Sequence, residues 1–143
     1  MYPKGEWMVG LVIVSHGNLG AELIGVAEII VGKMSAVAAV SIGSVVDVDT
    51  ARQEVGAAIK GVDDGDGVLI LTDMFGGTPS NLALAFLDEK GTEVLTGVNL
   101  PMIIKFAGHR KDKTVKEIVA IVKEGGVKSI IVASDMLQQK VKK

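Results

Sequence analysis

"MVGLVIVSHGNLGAELIGVAEII", residues 8–30, changes its period part-way along. Residues 8–14 are almost continuously apolar, the pattern of a strand covered on both faces in a parallel sheet. Over 19–31 the apolar residues Leu19, Leu23, Ala27 and Ile30 recur at steps of four and three, as a helix with one buried face requires. A buried strand that feeds a helix through "SHGN" is the opening of a β-α-β unit.

The same order continues along the chain. "AVAAVSI" at 36–42 reads as a second strand, and "DVDT" after it offers Asp47, Asp49 and Thr50 as caps for a helix that buries Ala51, Val55, Ala58, Ile59 and Val62. "DDGDG" at 63–67 is a turn by composition; its aspartates lack the following glutamate that a calcium loop needs. "VLILT" at 68–72 is the clearest buried strand. In "DMFGGTPSN" Thr78 before Pro79 predicts an N-cap and a first helical position, with Leu82, Ala85, Phe86 and Leu87 along the helix. "TEVLTGV" at 92–98 predicts a fourth strand, helices follow over 101–107 and 113–124, and "KSIIVAS" at 128–134 predicts a fifth strand. The expected fold is α/β: a doubly wound, mainly parallel sheet of order about 2-1-3-4 plus the C-terminal fifth strand, with helices on both faces.

A length of 143 residues suits one domain over 1–143. Residues 1–7 are expected to be a disordered extension ahead of the first strand, with Met8 as the natural start; "MYPKGEWMVG" lacks the basic-then-apolar order of a signal peptide. Aromatic residues make up 3% of the chain, which excludes a stacking platform for nucleic acid, and a formal net charge of -2 leaves no electrostatic footprint for a polyanion. The lysines of "QQKVKK" read as a solvated tail. With no cysteine there is no disulfide, thiolate or Cys-based zinc chemistry, which suits the cytoplasm. Gly10, His16, Asn18 and Glu22 interrupt the most hydrophobic region, so no run approaches the roughly 20 residues of a membrane span. Gly-Lys at 32–33 has the wrong spacing for a P-loop, and neither G-x-S-x-G nor G-x-G-x-x-G occurs.

In an open doubly wound sheet the ligand site lies beyond the carboxyl ends of the strands, where their order reverses. There the first strand ends at His16 and the third at Asp73. In the order 2-1-3-4 these strands are neighbours, so imidazole and carboxylate face each other across the crevice. Gly17 permits close approach of backbone to ligand, the helix start at Asn18–Gly20 offers amide N–H groups to an anion, and Gly76 and Gly77, with the Thr78 hydroxyl behind them, offer a second set. That arrangement describes a phosphate cradle around a nucleophile. An aspartate accepting from one ring nitrogen would leave the other its lone pair for attack. The plainer reading makes His16 a helix cap or a partner for a loop carbonyl, and "DMFGGTPSN" a tight turn with a capped helix. Ser15 points to the opposite face from His16. His109, in the polar stretch "GHRKDK", reads as surface.

Three stretches in register, "GLVIVSHG" at 10–17, "LILTDMFGGTPSNLA" at 69–83 and "GVNLPMI" at 97–103, resemble the mannose-type EIIA domains of the bacterial phosphoenolpyruvate-dependent sugar phosphotransferase system (PTS). The resemblance runs along nearly the whole chain. It implies a phosphotransferase that acts as a carrier: the histidine at His16 accepts a phosphoryl group from the phosphohistidine of HPr and passes it to a histidine of an EIIB partner, for carbohydrate uptake. Asp73 would orient the imidazole, Thr78 would place a hydroxyl beside the phosphate, and the outer ring nitrogen would carry it. No metal and no organic cofactor is implied. In-line transfer between imidazoles passes through a loose transition state, so positioning and anion stabilisation carry the catalysis.

Around the crevice Met74 and Phe75 are candidates for partner docking, and Met102 divides between docking and core packing. Family members are commonly homodimers that exchange the last strand, which would pair "KSIIVAS" with the partner's sheet. The chain stops at Lys143 with no room for a second domain, so the EIIB partner is expected as a separate protein. Two related alternatives are a regulatory phosphorelay without transport and the phosphocarrier subunit of a dihydroxyacetone kinase. A third, from another class, is a non-catalytic anion- or nucleotide-binding module.

Overall fold

Strand β1 (Gly10–His16) lies between β2 (Val37–Ile42) and β3 (Val68–Thr72), and β4 (Thr92–Thr96) flanks β3. The computed structural model describes residues 7–87 and 91–142. Among these the sheet has four strands in the order β2-β1-β3-β4, all parallel, with His16 opposite Ile42 and Val14 opposite Thr72. Helices α1 (Leu19–Val31), α2 (Val48–Val62), α3 (Thr78–Leu84), α4 (Leu100–His109), α5 (Val115–Lys128) and α6 (Ala133–Lys142) complete the described chain. None of the described helices is long and apolar enough to cross a membrane.

Alternation along the strands divides the core into two layers. Val12, Val14, Val68 and Ile70 pack with Val55 and Ile59 of α2 and with Leu82 and Ala83 of α3. Leu11, Ile13, Leu69 and Leu71 pack on the other face with Ala27 of α1, Ile103 and Phe106 of α4, and Ile118 and Val122 of α5. Both faces of β1 and β3 are therefore dry, which is why these strands are apolar at nearly every position. Asp47 caps α2, accepting from the N–H groups of Asp49 and Thr50, as the sequence predicts.

The amino ends of the strands are tied together. Buried Arg110 donates to the carbonyls of Val9, Ser35 and Ala36, and its guanidinium lies 4.7 Å from the centroid of the Phe106 ring. The Trp7 N–H donates to Asp112 Oδ1, and the Met8 N–H to Asp66 Oδ2. Residues 1–6 of the expected extension lie outside the described residues, as does Lys143 of the basic tail.

The fifth strand is not present among the described residues. Helix α5 continues through Gly125 and Gly126 to Lys128, residues 130–132 belong to no helix or strand, and α6 starts at Ala133. Ile130, Ile131 and Val132 are 78%, 55% and 62% exposed. An apolar β-branched run becomes a strand only where a sheet edge receives its N–H and C=O groups, and this one meets no edge of its own sheet. The two glycines lie inside the helix where α4 packs against it, an approach that leaves no room for a side chain; a Cβ at Gly126 would lie 2.5 Å from Met102 Cγ. Helix α3 is also shorter than predicted: Ala85, Phe86 and Leu87 form tight turns that donate back to Leu82, Ala83 and Leu84.

Candidate functional site

Parity along β1 decides what surrounds its last two residues. Ser15 falls on the α1 face with Leu11 and Ile13; His16 falls on the α3 face with Val12 and Val14. Ser15 is buried, accepts from the Gly20 N–H at 2.9 Å and donates to the Gly17 carbonyl at 3.2 Å, so it secures the start of α1 and is no partner of the histidine. The His16 side chain projects from the carboxyl end of the strand and is 52% exposed.

Asp73, one residue past β3, meets it there. Asp73 Oδ2 lies 2.7 Å from His16 Nδ1 and also accepts from the His16 backbone N–H at 2.8 Å, while Oδ1 accepts from the Met74 N–H at 2.9 Å. The backbone N–H is an obligate donor, so Oδ2 is an acceptor, and Nδ1 approaches it as N–H. That leaves Nε2, the outer nitrogen, with its lone pair. Burial opposes the negative charge on Asp73, but the hydrogen bonds from the His16 amide and ring and from the Met74 amide outweigh it and hold the carboxyl below the usual carboxylate range.

A carboxyl with a depressed folded pKa stabilises the fold fully above its unfolded pKa, and that contribution is lost as the pH falls through the folded one. The stability difference between wild type and Asp73→Asn is therefore expected to shrink on acidification below the ordinary carboxylate range. Urea denaturation of both proteins across that range measures it, and a difference independent of pH would rule out the charged pair as its source.

The second loop closes against the ring. Gly77 is the N-cap of α3, and a Cβ there would lie 2.9 Å from His16 Cε1 and 3.5 Å from Nε2, so the backbone approaches the imidazole as closely as only glycine permits. Gly76 takes φ +88°, which turns the chain into that approach. Thr78, predicted as the N-cap, is instead the first residue of the helix and is exposed. Gly17 has φ +54°, but its N–H is already given to the Ile42 carbonyl, so it supplies the turn after β1 and no free donor. In the first turns of α1 and α3 the Gly20 N–H is held by Ser15 Oγ and so is not open to an anion as the sequence suggested, and Pro79 has none; the remaining N–H groups there lack intrahelical acceptors and open toward the same end of the sheet.

Met74 and Phe75 stand 57% and 74% exposed at the rim. Met102 is core: it is 4% exposed and packs beneath Gly126. His109 ends α4 on the surface, at the amino end of the sheet. Sequence reasoning missed Ser80, which is completely buried behind Asp73; its place in "GGTPSN", one helical step inside α3, was the only signal.

A groove of about 800 Å³ lies between Trp7, Asp66, Glu93, Thr114 and Lys116, at the amino ends of β3 and β4 and away from His16. The imidazole site, by contrast, is open. An exposed nucleophilic nitrogen, a charged carboxylate fixing the opposite nitrogen and two helix starts nearby can attack an electrophilic phosphorus carried by another macromolecule, whereas a small free substrate would call for an enclosing pocket.

The family model described as PTS system fructose IIA component matches residues 10–123. The fructose-specific EIIA component of the PTS of Bacillus subtilis (strain 168) is 29% identical over 133 residues, covering 92% of this chain and 91% of that protein. The mannose-specific EIIAB component of Escherichia coli (strain K12) is 31% identical over 120 residues, 82% of this chain; the chain spans only 37% of that relative. Among solved structures, the phosphotransferase system component EIIA of Streptococcus agalactiae superposes with a TM-score of 0.80 at 26% identity, covering 90% of this chain and 99% of that one. The mannose/sorbose specific IIA subunit of Enterococcus faecalis gives 0.78 at 27% identity, covering 87% and 94%.

Proposed function

Because the chain belongs to the mannose/fructose IIA family of the sugar phosphotransferase system, we propose that it is a phosphohistidine carrier in which His16 Nε2 accepts a phosphoryl group from HPr and delivers it to a histidine of an EIIB component. One observation carries this reading: the 2.7 Å contact between His16 Nδ1 and Asp73 Oδ2, which leaves the outer nitrogen free.

In the transfer, the Nε2 lone pair attacks phosphorus in line with the P–N bond of the donor phosphoimidazole. That bond breaks and its electron pair returns to the donor ring. The His16 ring gains positive character while Nδ1 keeps its proton, and the Asp73 carboxylate offsets it. N–H groups at the starts of α1 and α3, with Gly76, Gly77 and the Thr78 hydroxyl, are suited to receive the phosphoryl oxygens. Donor and acceptor are both phosphoimidazoles, so the exchange is nearly balanced in free energy, and the protein's task is to position and to dock. Met74 and Phe75 supply the apolar contact beside the ring.

The carrier works in the cytoplasm, alternately meeting HPr and EIIB, in the service of carbohydrate uptake. The exposed run Ile130–Val132, which pairs with no strand of its own sheet, supports a homodimer in which this segment joins the sheet of a second copy.

The test is intact-mass analysis after incubation with phosphoenolpyruvate, Enzyme I and HPr. One phosphoryl group per chain, lost in mild acid and placed on Nε2 by the nitrogen shifts of the imidazole, is the expected result. A chain left unmodified by an HPr pool that phosphorylates another EIIA would reject the carrier and leave an anion-binding module.

A further inference from the structure

Asp73 is held from a direction that the histidine does not explain. Ser80 Oγ, completely buried on α3, lies 2.6 Å from the Met74 carbonyl oxygen and 2.7 Å from Thr72 Oγ1, which is itself completely buried. A serine hydroxyl has one proton and a carbonyl only accepts, so Ser80 donates to Met74 and Thr72 donates to Ser80. The relay joins the two residues on either side of Asp73. Further support comes from just past β4, where the N–H groups of Gly97 and Val98 donate to the Thr72 carbonyl at 3.0 and 2.9 Å. Met74 is gripped at both ends of its backbone, its carbonyl by Ser80 and its N–H by Asp73 Oδ1. The short segment 72–74 therefore has little freedom to rotate, and the Asp73 carboxylate inherits its position.

We infer that Ser80 is a positioning residue for the His16–Asp73 pair: by tying Thr72 to Met74 behind Asp73, its hydroxyl sets where the carboxylate meets the imidazole and so which ring nitrogen keeps its lone pair. The consequence for phosphoryl transfer rests on the carrier reading; the consequence for the ring does not. Ser80 touches neither the ring nor any reacting atom. Without its hydroxyl, Thr72 Oγ1 and the Met74 carbonyl lose their buried partner, the 72–74 segment relaxes, and the carboxylate no longer selects one tautomer.

Nitrogen-15 NMR of the imidazole in wild type, Ser80→Ala and Ser80→Cys tests this, together with uptake kinetics from phospho-HPr. Wild type is expected to hold its proton on Nδ1. Ser80→Ala is expected to show a mixture of tautomers and to take up phosphoryl groups about tenfold more slowly with KM for phospho-HPr unchanged, as misplacement of a reacting group produces. Ser80→Cys, which keeps a weak donor of similar size, is expected to fall between the two. A purely packing role for Ser80 would lower the melting temperature and leave tautomer and rate as they are, and that result overturns the inference. Should Ser80→Ala fail to fold, the tautomer in Ser80→Cys decides in the same sense. If wild type accepts no phosphoryl group at all, the carrier reading fails, while the imidazole spectra still decide the role of Ser80.

Discussion

His16→Ala is expected to take up no phosphoryl group from phospho-HPr while melting at nearly the wild-type temperature. The chain has two histidines, and the other, His109, sits on the surface at the far end of the sheet. The His16 side chain is 52% exposed, so its removal opens no cavity in either core layer. Asp73 keeps its bonds from the backbone N–H groups of residues 16 and 74. What the variant loses is the ring's bond to Asp73, made at a half-exposed imidazole and worth about 1 kcal/mol or less. Intact mass measures the uptake and thermal denaturation the fold. Stoichiometric phosphorylation of the variant would place the acceptor elsewhere and remove the mechanism.

Asp73→Asn is the second large effect, and it follows from counting donors. Both carboxylate oxygens accept from backbone N–H groups, Oδ1 from Met74 and Oδ2 from His16. An asparagine has one acceptor oxygen, so either orientation of its amide sets an NH₂ group against a backbone N–H. With the oxygen toward His16 the ring tautomer survives but the charge that offsets the phosphorylated ring is gone; with the amide reversed the tautomer is lost as well. Phosphoryl uptake is expected to fall by about a hundredfold to a thousandfold, less than the roughly ten-thousandfold loss when the carboxylate partner of a triad imidazole is neutralised, because one orientation of the amide keeps the tautomer. Rapid-quench kinetics with phospho-HPr would measure it. A rate equal to wild type would mean that the carboxylate only secures the loop.

The adjacency behind both expectations was legible in the sequence. "VLILT" begins and ends as a strand where its apolar run does, alternating strand and helix periods imply a parallel sheet, and the expected doubly wound order 2-1-3-4, which the sheet has, makes β1 and β3 neighbours. His16 and Asp73 follow from being what stands at those two ends. The features that were not legible depend on partners distant in sequence. "KSIIVAS" has the composition of a strand, and composition carries no information about whether an edge is available. Gly125 and Gly126 read as a helix end until α4 is seen lying against them. Ser80 looks like any serine early in a helix; only the packing of α3 behind β3 brings it against Thr72 and Met74. Of the amides at Asn18–Gly20 read as free for an anion, that of Gly20 is held by Ser15, a partner that its place in the chain does not announce.

The fastening at the amino ends of the strands has a consequence for engineering. Arg110, Asp112 and Asp66 stitch the base of the sheet to the start of the chain, while the imidazole, Met74, Phe75 and the glycine turns occupy the opposite rim. Slow amide exchange should concentrate at the base and in β1 and β3, and fall away toward the rim. The molecule is thus a stiff handle whose tip, outside the fastened segment 72–74, is permissive. Loops grafted at the tip to change which macromolecule it recognises would leave the handle as it is.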